Sequence, residues 1–468
     1  MAMDRREFLT RSAWSSAALA AAGCVGPAGF GFGRRGTMCG FAVPPMDRIR
    51  VGIIGTGGRG TTCGQRFVMF EGVEVTALCD IRPEGPDALC DFLKKGGYAK
   101  PKRYTGSAES FKALCDDPNV DVVYVTTPAQ FHAEQVLYAM RAGKHAFTEV
   151  PGARGGDQLW ELVETCEETR RHCMMLENCL YGEDEMLAFA LCHKGLLGTL
   201  THAEAGYIHN LTWRNLADSY RNRLKHYDIS LTKGNGYPTH GLGPVCAYMD
   251  INRGDKMDFI VSVSSKQATW REYAKEIYPP DAWQNTGRIE MGDMNTSIIK
   301  TAMGRTIMMQ YDLSTPRPYT RLNLIQGTKG CFASFPYRVG FTDIPGEHCD
   351  FFNAKKAAEV REKYRHPLWT KLGAYARADG GHGGLDFLMD LRWIYCLKNG
   401  LPLDMDVYDL ASWSIIIDTS ALSDMNGGRP VDIPDFTRGA WRTTKPFTIE
   451  HFDVDVAKTG LKLLKERV

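Results

Sequence analysis

A short β-branched run that leads into a glycine-rich turn constrains the fold of this 468-residue chain more than any other feature. Residues 48–54 are suited to a buried parallel strand. They lead directly into Gly55-Thr56-Gly57-Gly58-Arg59-Gly60, a G-x-G-x-x-G sequence. In this motif the first glycine permits a tight turn, the second lets the backbone approach a pyrophosphate, and the third lets a helix pack on the strand. A pyrophosphate would then lie at the N-terminus of the following helix.

A second strand supplies the acid that such a turn requires. Residues 73–79 form another β-branched run that ends at Asp80, 20 residues after Gly60. An acid at this distance accepts hydrogen bonds from the ribose hydroxyls of NAD. Arg82 is close enough to favour a 2′-phosphate, so NADP stays open as an alternative cofactor. The sequence therefore predicts NAD binding, with contacts from Gly55, Gly57, Gly58, Arg59, Gly60 and Asp80.

Later segments continue the alternation of strand and helix. Strands are expected over 120–127 and 144–147, with a helix over 130–142 between them. Ligands bind outside the carboxyl ends of such strands, so the loops that follow should face the nicotinamide half of the cofactor. The residues expected there are Ala129, Gln130, Phe131, His132, Glu149 and Val150. A second interpretation of His132 stays open, namely a residue at the start of a helix whose hydrogen bonds are satisfied by backbone.

The second half of the chain predicts a domain of a different kind. The expected elements are a helix over 183–195, strands over 199–210, 258–270, 295–303, 305–312 and 319–326, and helices over 383–398 and 405–424. Residues 234–244 place Tyr237 and His240 among glycines, where a backbone could approach a ligand closely. Histidine titrates nearest to neutral pH, and tyrosine supplies an oriented hydroxyl. Tyr319 adds another aromatic hydroxyl at a strand edge.

Two motifs of the first half resemble a known family. Residues 127–132 read T-P-x-x-x-H and residues 144–151 read K-H-x-x-x-E-x-P, as in the Gfo/Idh/MocA family of sugar-handling oxidoreductases. The resemblance implies an N-terminal Rossmann domain, followed by a domain built on an open, mainly antiparallel sheet. Many members carry Glu-Lys-Pro where this chain has Glu149-Val150-Pro151, and that lysine helps proton transfer at the reacting carbinol. Val150 cannot move a proton, so a simple dehydrogenase would need another acid or base.

Three further segments narrow the resemblance. Residues 237–244 read Tyr-Pro-Thr-His-Gly-Leu-Gly-Pro, residues 292–296 read Gly-Asp-Met-Asn-Thr, and residues 317–319 read Arg-Pro-Tyr. Together they resemble glycoside hydrolase family 109, an NAD-dependent branch that is represented by α-N-acetylgalactosaminidases. The resemblance implies that Asn178, like Glu149-Val150, lines the cofactor. The residues that it implies around the sugar are Tyr207, Arg223, Tyr237, Pro238, Thr239, His240 and Tyr319.

The acidity of sugar hydrogens suggests how such an enzyme would act on a terminal α-N-acetylgalactosaminide. Hydride transfer from C3 to NAD⁺ would first give a ketone, which makes the hydrogen at C2 acidic. A base then removes the C2 hydrogen as a proton, and the aglycone leaves from C1. Addition of water and return of the hydride to C3 complete the hydrolysis. We expect His240 to serve as base at C2 or acid for the leaving group, with Tyr319 or Tyr237 at the C3 oxygen. Arg223 would orient the substrate. The alternatives are a net NAD-dependent sugar dehydrogenase and an exported sugar-binding protein with a structural dinucleotide.

The first 46 residues are typical of an export signal and linker. Arg5 and Arg6 precede Phe8-Leu9 and a mildly apolar run, which resembles a signal for the Tat export machinery. We therefore expect a periplasmic or exported protein that folds before export, and a lipid anchor at Cys24 stays open. The fold class expected after the signal is α/β plus α+β, with a Rossmann domain over 47–175 and a substrate-binding domain over 176–468.

Composition excludes several other classes. The chain has 56 Lys plus Arg against 55 Asp plus Glu, and a net charge of +1 argues against a surface built for nucleic acid. No apolar run reaches the roughly 20 residues that span a bilayer. Cysteine and histidine are scattered without a C-x-x-C, so no metal site is expected, and most of the 14 cysteines should be reduced and buried. His382 and Asp386 have one-turn helical spacing, which favours a hydrogen bond at a helix entry over a catalytic pair. A homo-oligomer stays open.

Overall fold

Two β-sheets organise the computed structural model, which describes residues 36–219, 232–379 and 381–447. The strands of the first sheet are β1 (Ile49–Ile54), β2 (Val73–Asp80), β3 (Lys102–Thr105), β4 (Val122–Val125), β5 (His145–Thr148) and β6 (Cys173–Met175). All of its neighbours pair in parallel, in the order β3-β2-β1-β4-β5-β6. This is the strand order of a doubly wound dinucleotide-binding sheet, so the Rossmann prediction is confirmed.

Helices connect these strands and cover the first sheet. They are α1 (Gly58–Phe67), α2 (Asp87–Lys95), α3 (Ser110–Cys115), α4 (His132–Arg141) and α5 (Gly156–Thr169). Strands β4 and β5 are buried along their whole length, because a parallel sheet with helices on both faces has no solvated side. The helix that the sequence predicts from residue 130 begins at His132, after a single 3₁₀ turn.

The second sheet has eight strands in the order β13-β12-β11-β7-β10-β9-β8-β14. They are β7 (Leu200–Ile208), β8 (Met257–Ser264), β9 (Asn295–Thr301), β10 (Thr306–Asp312), β11 (Leu324–Gly327), β12 (Gly330–Ala333), β13 (Arg338–Phe341) and β14 (Val431–Asp432). Strands β7 and β10 pair in parallel, and the other neighbours pair antiparallel. The expected mainly antiparallel second sheet is therefore present.

Helices of the second half bring the two sheets into one core. They are α6 (Glu183–His193), α7 (Thr212–Leu216), α8 (Thr239–Tyr248), α9 (Thr269–Ile277), α10 (Trp283–Thr286), α11 (Ala354–Tyr364), α12 (Pro367–Asp379), α13 (Leu385–Asn399), α14 (Val407–Ser414) and α15 (Ile416–Met425). Helix α13 returns to pack on α1, and α14 packs on α5 and β6. The start of α13 therefore lies beside the dinucleotide turn.

Two of the expected strands are shorter than the sequence predicts. The strand expected over 258–270 ends at Ser264, and the charged run that follows is helix α9, whose Trp270 is buried in a small cluster with Tyr311. The strand expected over 319–326 forms only at its end, because Leu322 and Asn323 have φ of +62° and +49°. Left-handed backbone interrupts the extended conformation that a strand needs.

The state of the cysteines and the length of the helices are relevant to the cellular compartment of the protein. Thirteen cysteines are free thiols and eight of them are buried. No helix of the described residues is long and apolar enough to cross a membrane. Arg5, Arg6 and Cys24, on which the export prediction depends, lie outside the described residues, as does Arg223.

Candidate active site

The glycine-rich turn between β1 and α1 leaves room for a phosphate group. Gly55 has φ of +90°, a conformation that favours glycine. A Cβ at Gly60 would lie 2.1 Å from the carbonyl oxygen of Gly55, which keeps the helix close to the strand. A Cβ at Gly57 or Gly58, in contrast, would meet nothing within 4 Å. The first turn of α1 thus opens onto free space, and no side chain caps it, so the turn fits a pyrophosphate.

Asp80 lies at the carboxyl end of β2, as the sequence predicts. Its Oδ2 accepts hydrogen bonds from the backbone N–H of Thr56 at 3.0 Å and from the Thr56 hydroxyl at 3.2 Å. Its Oδ1 accepts from the backbone N–H of Arg82 at 3.0 Å. The carboxylate therefore fixes the glycine turn against β2, at the place where an adenosine ribose would bind.

The loops after β4 and β5 contain the expected nicotinamide contacts. The Oε1 atom of Gln130 is buried without a hydrogen-bond partner, so a bound hydroxyl or amide would satisfy it. His132 is buried, and its Nδ1 and Nε2 each lie 2.8 Å from a carbonyl oxygen, those of Pro151 and Thr127. This matches the second interpretation of His132, in which the ring bonds to backbone and joins the two loops. Its contact with the cofactor stays a prediction, as do those of Ala129, Phe131 and Val150.

A buried network of charges joins the dinucleotide turn to α13. Arg59 donates from Nε to Glu149 Oε1 at 2.6 Å, and from Nη1 and Nη2 to the Asp386 carboxylate at 2.5 and 3.2 Å. Asn178 donates from Nδ2 to Asp386 Oδ1 at 2.6 Å. Asp386, which the sequence places at a helix entry, therefore holds Arg59 and Asn178, and Glu149 joins this network through Arg59.

The same carboxylate also contacts His382, whose Nδ1 lies 3.0 Å from Asp386 Oδ2. Burial opposes the charged form of Asp386. The hydrogen bond from His382 and the charges of Arg59 and Arg66 nevertheless hold its pKa well below the usual range. Asp386 is thus an anion that pairs with Arg59 and Arg66, two residues of the helix that follows the glycine-rich turn.

Tyr237 and His240 flank the start of α8. A Cβ at Gly241 would lie 2.3 Å from the backbone nitrogen of Gly206, so α8 packs directly on β7. A Cβ at Gly243 would lie 2.8 Å from Cγ of Glu177. We expected these glycines to let backbone approach a ligand. The structure instead shows that they let α8 pack closely against β7 and Glu177, and this packing positions His240.

Glu177 is the residue that completes this part of the site. It is fully buried, and both of its carboxylate oxygens face Nδ1 of His240, at 2.8 and 2.9 Å. Burial alone would raise the pKa of Glu177, but the charge and hydrogen bond of His240 and the Cys179 N–H lower it below its ordinary value. A carboxylate at Nδ1 directs Nε2 outward, toward the hydroxyl of Tyr237 at 3.5 Å.

The sequence alone does not predict Glu177, although its position fits the rule that ligands bind outside the carboxyl ends of parallel strands. The residue follows β6, a strand of three residues, at the same edge of the sheet as the other predicted site residues. Because the sequence does not predict so short a strand, it does not indicate the residue that follows it.

An aromatic cluster surrounds His240. The ring of Tyr207 lies 4.9 Å from that of Tyr237, 5.3 Å from that of His240 and 6.2 Å from that of Tyr319, centroid to centroid. The Tyr207 hydroxyl lies 3.0 Å from Nδ1 of His209. The structure therefore brings together four of the residues that the family resemblance places around the sugar. Pro238 and Thr239 are buried behind them at the start of α8.

Glu177, Cys179 and His240 also offer three possible metal-ligand atoms within 4.8 Å of one another, so these residue types are less scattered than the sequence suggests. The imidazole and carboxylate are already at hydrogen-bond distance. Burial raises the pKa of the Cys179 thiol well above its ordinary value, whereas a metal ligand must be a thiolate. We therefore interpret the group as a hydrogen-bonded pair beside a thiol.

Two family models cover most of the chain. One, described as an oxidoreductase family with an NAD-binding Rossmann fold, matches residues 49–177. The other, described as the C-terminal domain of glycosyl hydrolase 109, matches residues 181–443. A glycosyl hydrolase family 109 protein of Shewanella pealeana is 45% identical over 414 residues, which are 88% of this chain and 91% of that protein. A second such protein, from Shewanella sp. strain ANA-3, is 43% identical over 95% of this chain and 99% of its own length.

Solved structures share the fold at low sequence identity. An NAD binding oxidoreductase from Klebsiella pneumoniae superposes with a TM-score of 0.64 at 16% identity, over 83% of this chain and 100% of that chain. Levoglucosan dehydrogenase in complex with NADH superposes with a TM-score of 0.59 at 18% identity, over the same shares of the two chains. At these identities the likeness concerns the fold alone.

Proposed function

The chain belongs to glycosyl hydrolase family 109, a family with an NAD-binding Rossmann domain, and on this premise we propose that it hydrolyses terminal α-N-acetylgalactosaminides. One contact carries the proposal. His240 is held by the buried carboxylate of Glu177 beside three tyrosines, at the carboxyl end of the dinucleotide-binding sheet. The site thus combines a positioned proton carrier, aromatic faces for a sugar and a turn that fits the cofactor.

The cofactor site and the proton carrier have complementary tasks. NAD, when bound, would accept a hydride from C3 of the sugar and later return it. The resulting ketone makes the hydrogen at C2 acidic enough for a side chain to remove. The chain's own residues then have to take one proton from C2, donate one to the leaving oxygen and reverse these transfers as water adds.

His240 is the residue best placed for the C2 proton. Its Nε2 is directed outward by the Glu177 contact at Nδ1, and Glu177 stabilises the positive charge that the ring acquires with the proton. The electron pair of the C2–H bond first forms an enolate with the C3 carbonyl. As the carbonyl reforms, that pair forms the C1–C2 double bond and the bond from C1 to the aglycone oxygen breaks. Addition of the hydroxyl of water to C1 and of a proton to C2 then gives the 3-keto sugar. Return of the hydride to C3, with a proton to the C3 oxygen, gives the free sugar, so no net oxidation occurs.

Val150 argues against a simple dehydrogenase. It stands where many relatives in the wider family have lysine, and its buried side chain has no proton to transfer. Proton transfer at the C3 oxygen would fall instead to Tyr319 or Tyr237, with Arg223 orienting the substrate. A net sugar dehydrogenase is the alternative, and it differs in leaving reduced cofactor behind.

An aryl α-N-acetylgalactosaminide, supplied to the purified protein without a redox acceptor, tests this function. We expect many turnovers of aglycone release without accumulation of NADH, and a loss of about 10²–10⁴-fold in kcat for His240→Ala. His382→Ala is the matched control, because it removes another histidine bonded to a carboxylate. Steady accumulation of NADH with an oxidised sugar would establish the dehydrogenase instead, and absence of both signals would indicate a binding protein.

We also propose that the protein is exported by the Tat machinery. Arg5-Arg6 followed by Phe8-Leu9 supports this, and folding before export would allow the cofactor to be bound in the cytoplasm. Replacement of both arginines by lysine should retain the protein in the cytoplasmic fraction of its host, and secretion of that variant at the normal rate would contradict the proposal.

A further inference from the structure

Tyr319 is backed by a cation that sequence reasoning did not single out. Nη1 of Arg321 donates a hydrogen bond to the Tyr319 hydroxyl oxygen at 2.8 Å. Nη2 of the same guanidinium donates to Glu185 on α6, which is itself buried. Arg321 also lies over the ring of Phe335, 5.0 Å from its centroid. The contacts with Glu185 and Phe335 therefore hold the guanidinium in the position from which it donates to the Tyr319 hydroxyl.

This contact decides which way the phenol can bond. A guanidinium has donors only, so the Tyr319 oxygen must be the acceptor and its own hydrogen must point elsewhere. Tyr319 is 40% exposed, and its ring packs against Tyr207 and His209 of the aromatic cluster. The hydroxyl can therefore donate to an oxygen of a molecule bound at that cluster.

The two candidate proton carriers thus have backing groups of opposite charge. Glu177 behind His240 stabilises a ring that has gained a proton. Arg321 behind Tyr319 stabilises a phenol that gives its proton up; burial raises the pKa of Tyr319, and the charge of Arg321 opposes that rise. The polarity of the site favours His240 as the proton acceptor and Tyr319 as the proton donor.

We propose that Arg321, anchored by Glu185, is a positioning residue that makes Tyr319 the hydrogen-bond donor to the C3 oxygen of the sugar. This rests on the glycosidase function proposed above. When His240 takes the C2 proton, the electron pair of the C2–H bond moves into the C2–C3 bond and the carbonyl pair moves onto the C3 oxygen. Tyr319 donates to that oxygen while it carries the charge. As the bond from C1 to the leaving oxygen breaks, the electrons return and the carbonyl reforms. Fixed donors of this kind act where charge develops in the transition state.

A double-mutant cycle of Tyr319→Phe and Arg321→Met separates this role from a structural one. We expect Arg321→Met to lower kcat by about 10- to 100-fold with little change in KM, since one oxyanion donor is worth about 10²–10³-fold. In the Tyr319→Phe background the same change should lower kcat by less than about threefold. Arg321→Lys, which keeps the charge, should recover part of the loss, whereas Arg321→Gln should not.

Arg361→Met is the matched control. Arg361, on α11, pairs at 2.7 Å with Asp184, the neighbour of Glu185 on α6, and lies over the ring of Tyr337. It is not bonded to a residue of the aromatic cluster. Its loss should leave kcat unchanged. Because Arg321→Met alone leaves the buried Glu185 unpaired, the cycle is repeated with Glu185→Gln in every member, and NAD binding checks that each variant is folded.

Equal losses from Arg321→Met in the wild-type and Tyr319→Phe backgrounds would overturn the proposal, because Arg321 would then act independently of Tyr319. Deuterium exchange at C2 of the bound sugar is the second readout, and Arg321→Met should slow it more than it slows the first reduction of NAD. If wild-type protein releases aglycone while the cycle shows no coupling, only the role of Arg321 fails. If wild-type protein releases none, the glycosidase function and the role of Arg321 fail together.

Discussion

The pairs His240–Glu177 and His382–Asp386 have nearly the same contact but different surroundings. In each, Nδ1 of the histidine lies 2.8–3.0 Å from a buried carboxylate oxygen. Glu177 gives both of its oxygens to His240, whose side chain is 16% exposed beside the aromatic cluster. Asp386 is bonded to Arg59 and Asn178 as well, and the side chain of His382 is 65% exposed. The partners of each carboxylate thus distinguish the two histidines. Glu177 positions His240 for the proton transfer proposed above, whereas His382 lies over a carboxylate that also binds Arg59 and Asn178.

The backbone around the second pair supports the same distinction. His382 has φ of +53° between glycines, and the glycines that follow it, Gly383 and Gly384, have φ of +71° and +108°. This turn leads into α13 and places Asp386 in its first turn, where a carboxylate is favoured by the helix dipole. The spacing of four residues that the sequence shows is therefore a helix-entry contact, and the functional member of the pair is Asp386.

Among changes to the two carboxylates and to His382, Glu177→Gln should have the largest effect, and it concerns the first pair alone. The amide keeps the size of the side chain but loses the charge that stabilises a protonated His240, so we expect kcat to fall by about 10²–10³-fold. Steady-state aglycone release measures it, with the affinity for NAD unchanged as the control for folding. A change in kcat of less than threefold would remove the distinction between the two pairs.

Asp386→Asn should act on the cofactor instead of on proton transfer. The change weakens the charge-assisted contacts to Arg59, which are worth about 1.5–3 kcal/mol each, and the contact to the mostly exposed His382, which is worth less. We expect the dissociation constant of NAD to rise by about 10- to 100-fold, with kcat at saturating NAD falling far less than in Glu177→Gln. Fluorescence titration with NAD gives the constant, and unchanged NAD affinity would contradict the anchoring role of Asp386.

The pH dependence of stability offers a smaller, independent test of the same anchor. The pKa of Asp386 is lower in the folded protein than its ordinary value of 3.8, so its stabilising contribution is complete above that value and is lost as the pH falls. Between pH 7 and pH 3 the wild type should lose about 1 kcal/mol more of its unfolding free energy than Asp386→Asn loses. Urea unfolding of both proteins across this range measures the difference, and parallel pH curves would contradict the low pKa.

His382→Ala should have the smallest effect. Its side chain is mostly exposed, and Asp386 keeps its contacts to Arg59 and Asn178 when it is removed. We expect kcat and the affinity for NAD to change by less than about threefold. A loss of kcat comparable with that of His240→Ala would show that the exposed pair takes part in catalysis.

The features that the sequence predicted well are local ones. Strand β1, the turn at Gly55–Gly60 and Asp80 are found together because one short pattern specifies a strand, a turn and a helix start. The residues that complete the site were missed because their partners are remote in sequence: Glu177 bonds His240 63 residues away, Glu185 bonds Arg321 136 residues away, and Asp386 bonds Arg59 327 residues away. No periodicity encodes such contacts.

The errors in secondary structure have a similar cause. The strand expected around Tyr319 is interrupted by Leu322 and Asn323, which have positive φ. No adjacent glycine or proline in the sequence indicates this conformation. Strand β6 has only three residues, and β3 has the polar sequence Lys-Arg-Tyr-Thr, so neither shows the apolar run of a buried strand. The family resemblance, by contrast, named Tyr207, Tyr237, His240 and Tyr319 correctly as neighbours, because it carries information about tertiary contacts.

The isotope content at C2 of the released sugar tests the central claim most directly. Hydrolysis of an aryl α-N-acetylgalactosaminide is run in D₂O with the purified protein and no redox acceptor, and the sugar is analysed by NMR before it can bind again. If the C2 proton is removed and replaced during each turnover, the product carries deuterium at C2 and hydrogen at C3. Aglycone release that leaves hydrogen at C2 would show that the bond is broken without elimination, and would contradict the roles assigned to His240 and Glu177.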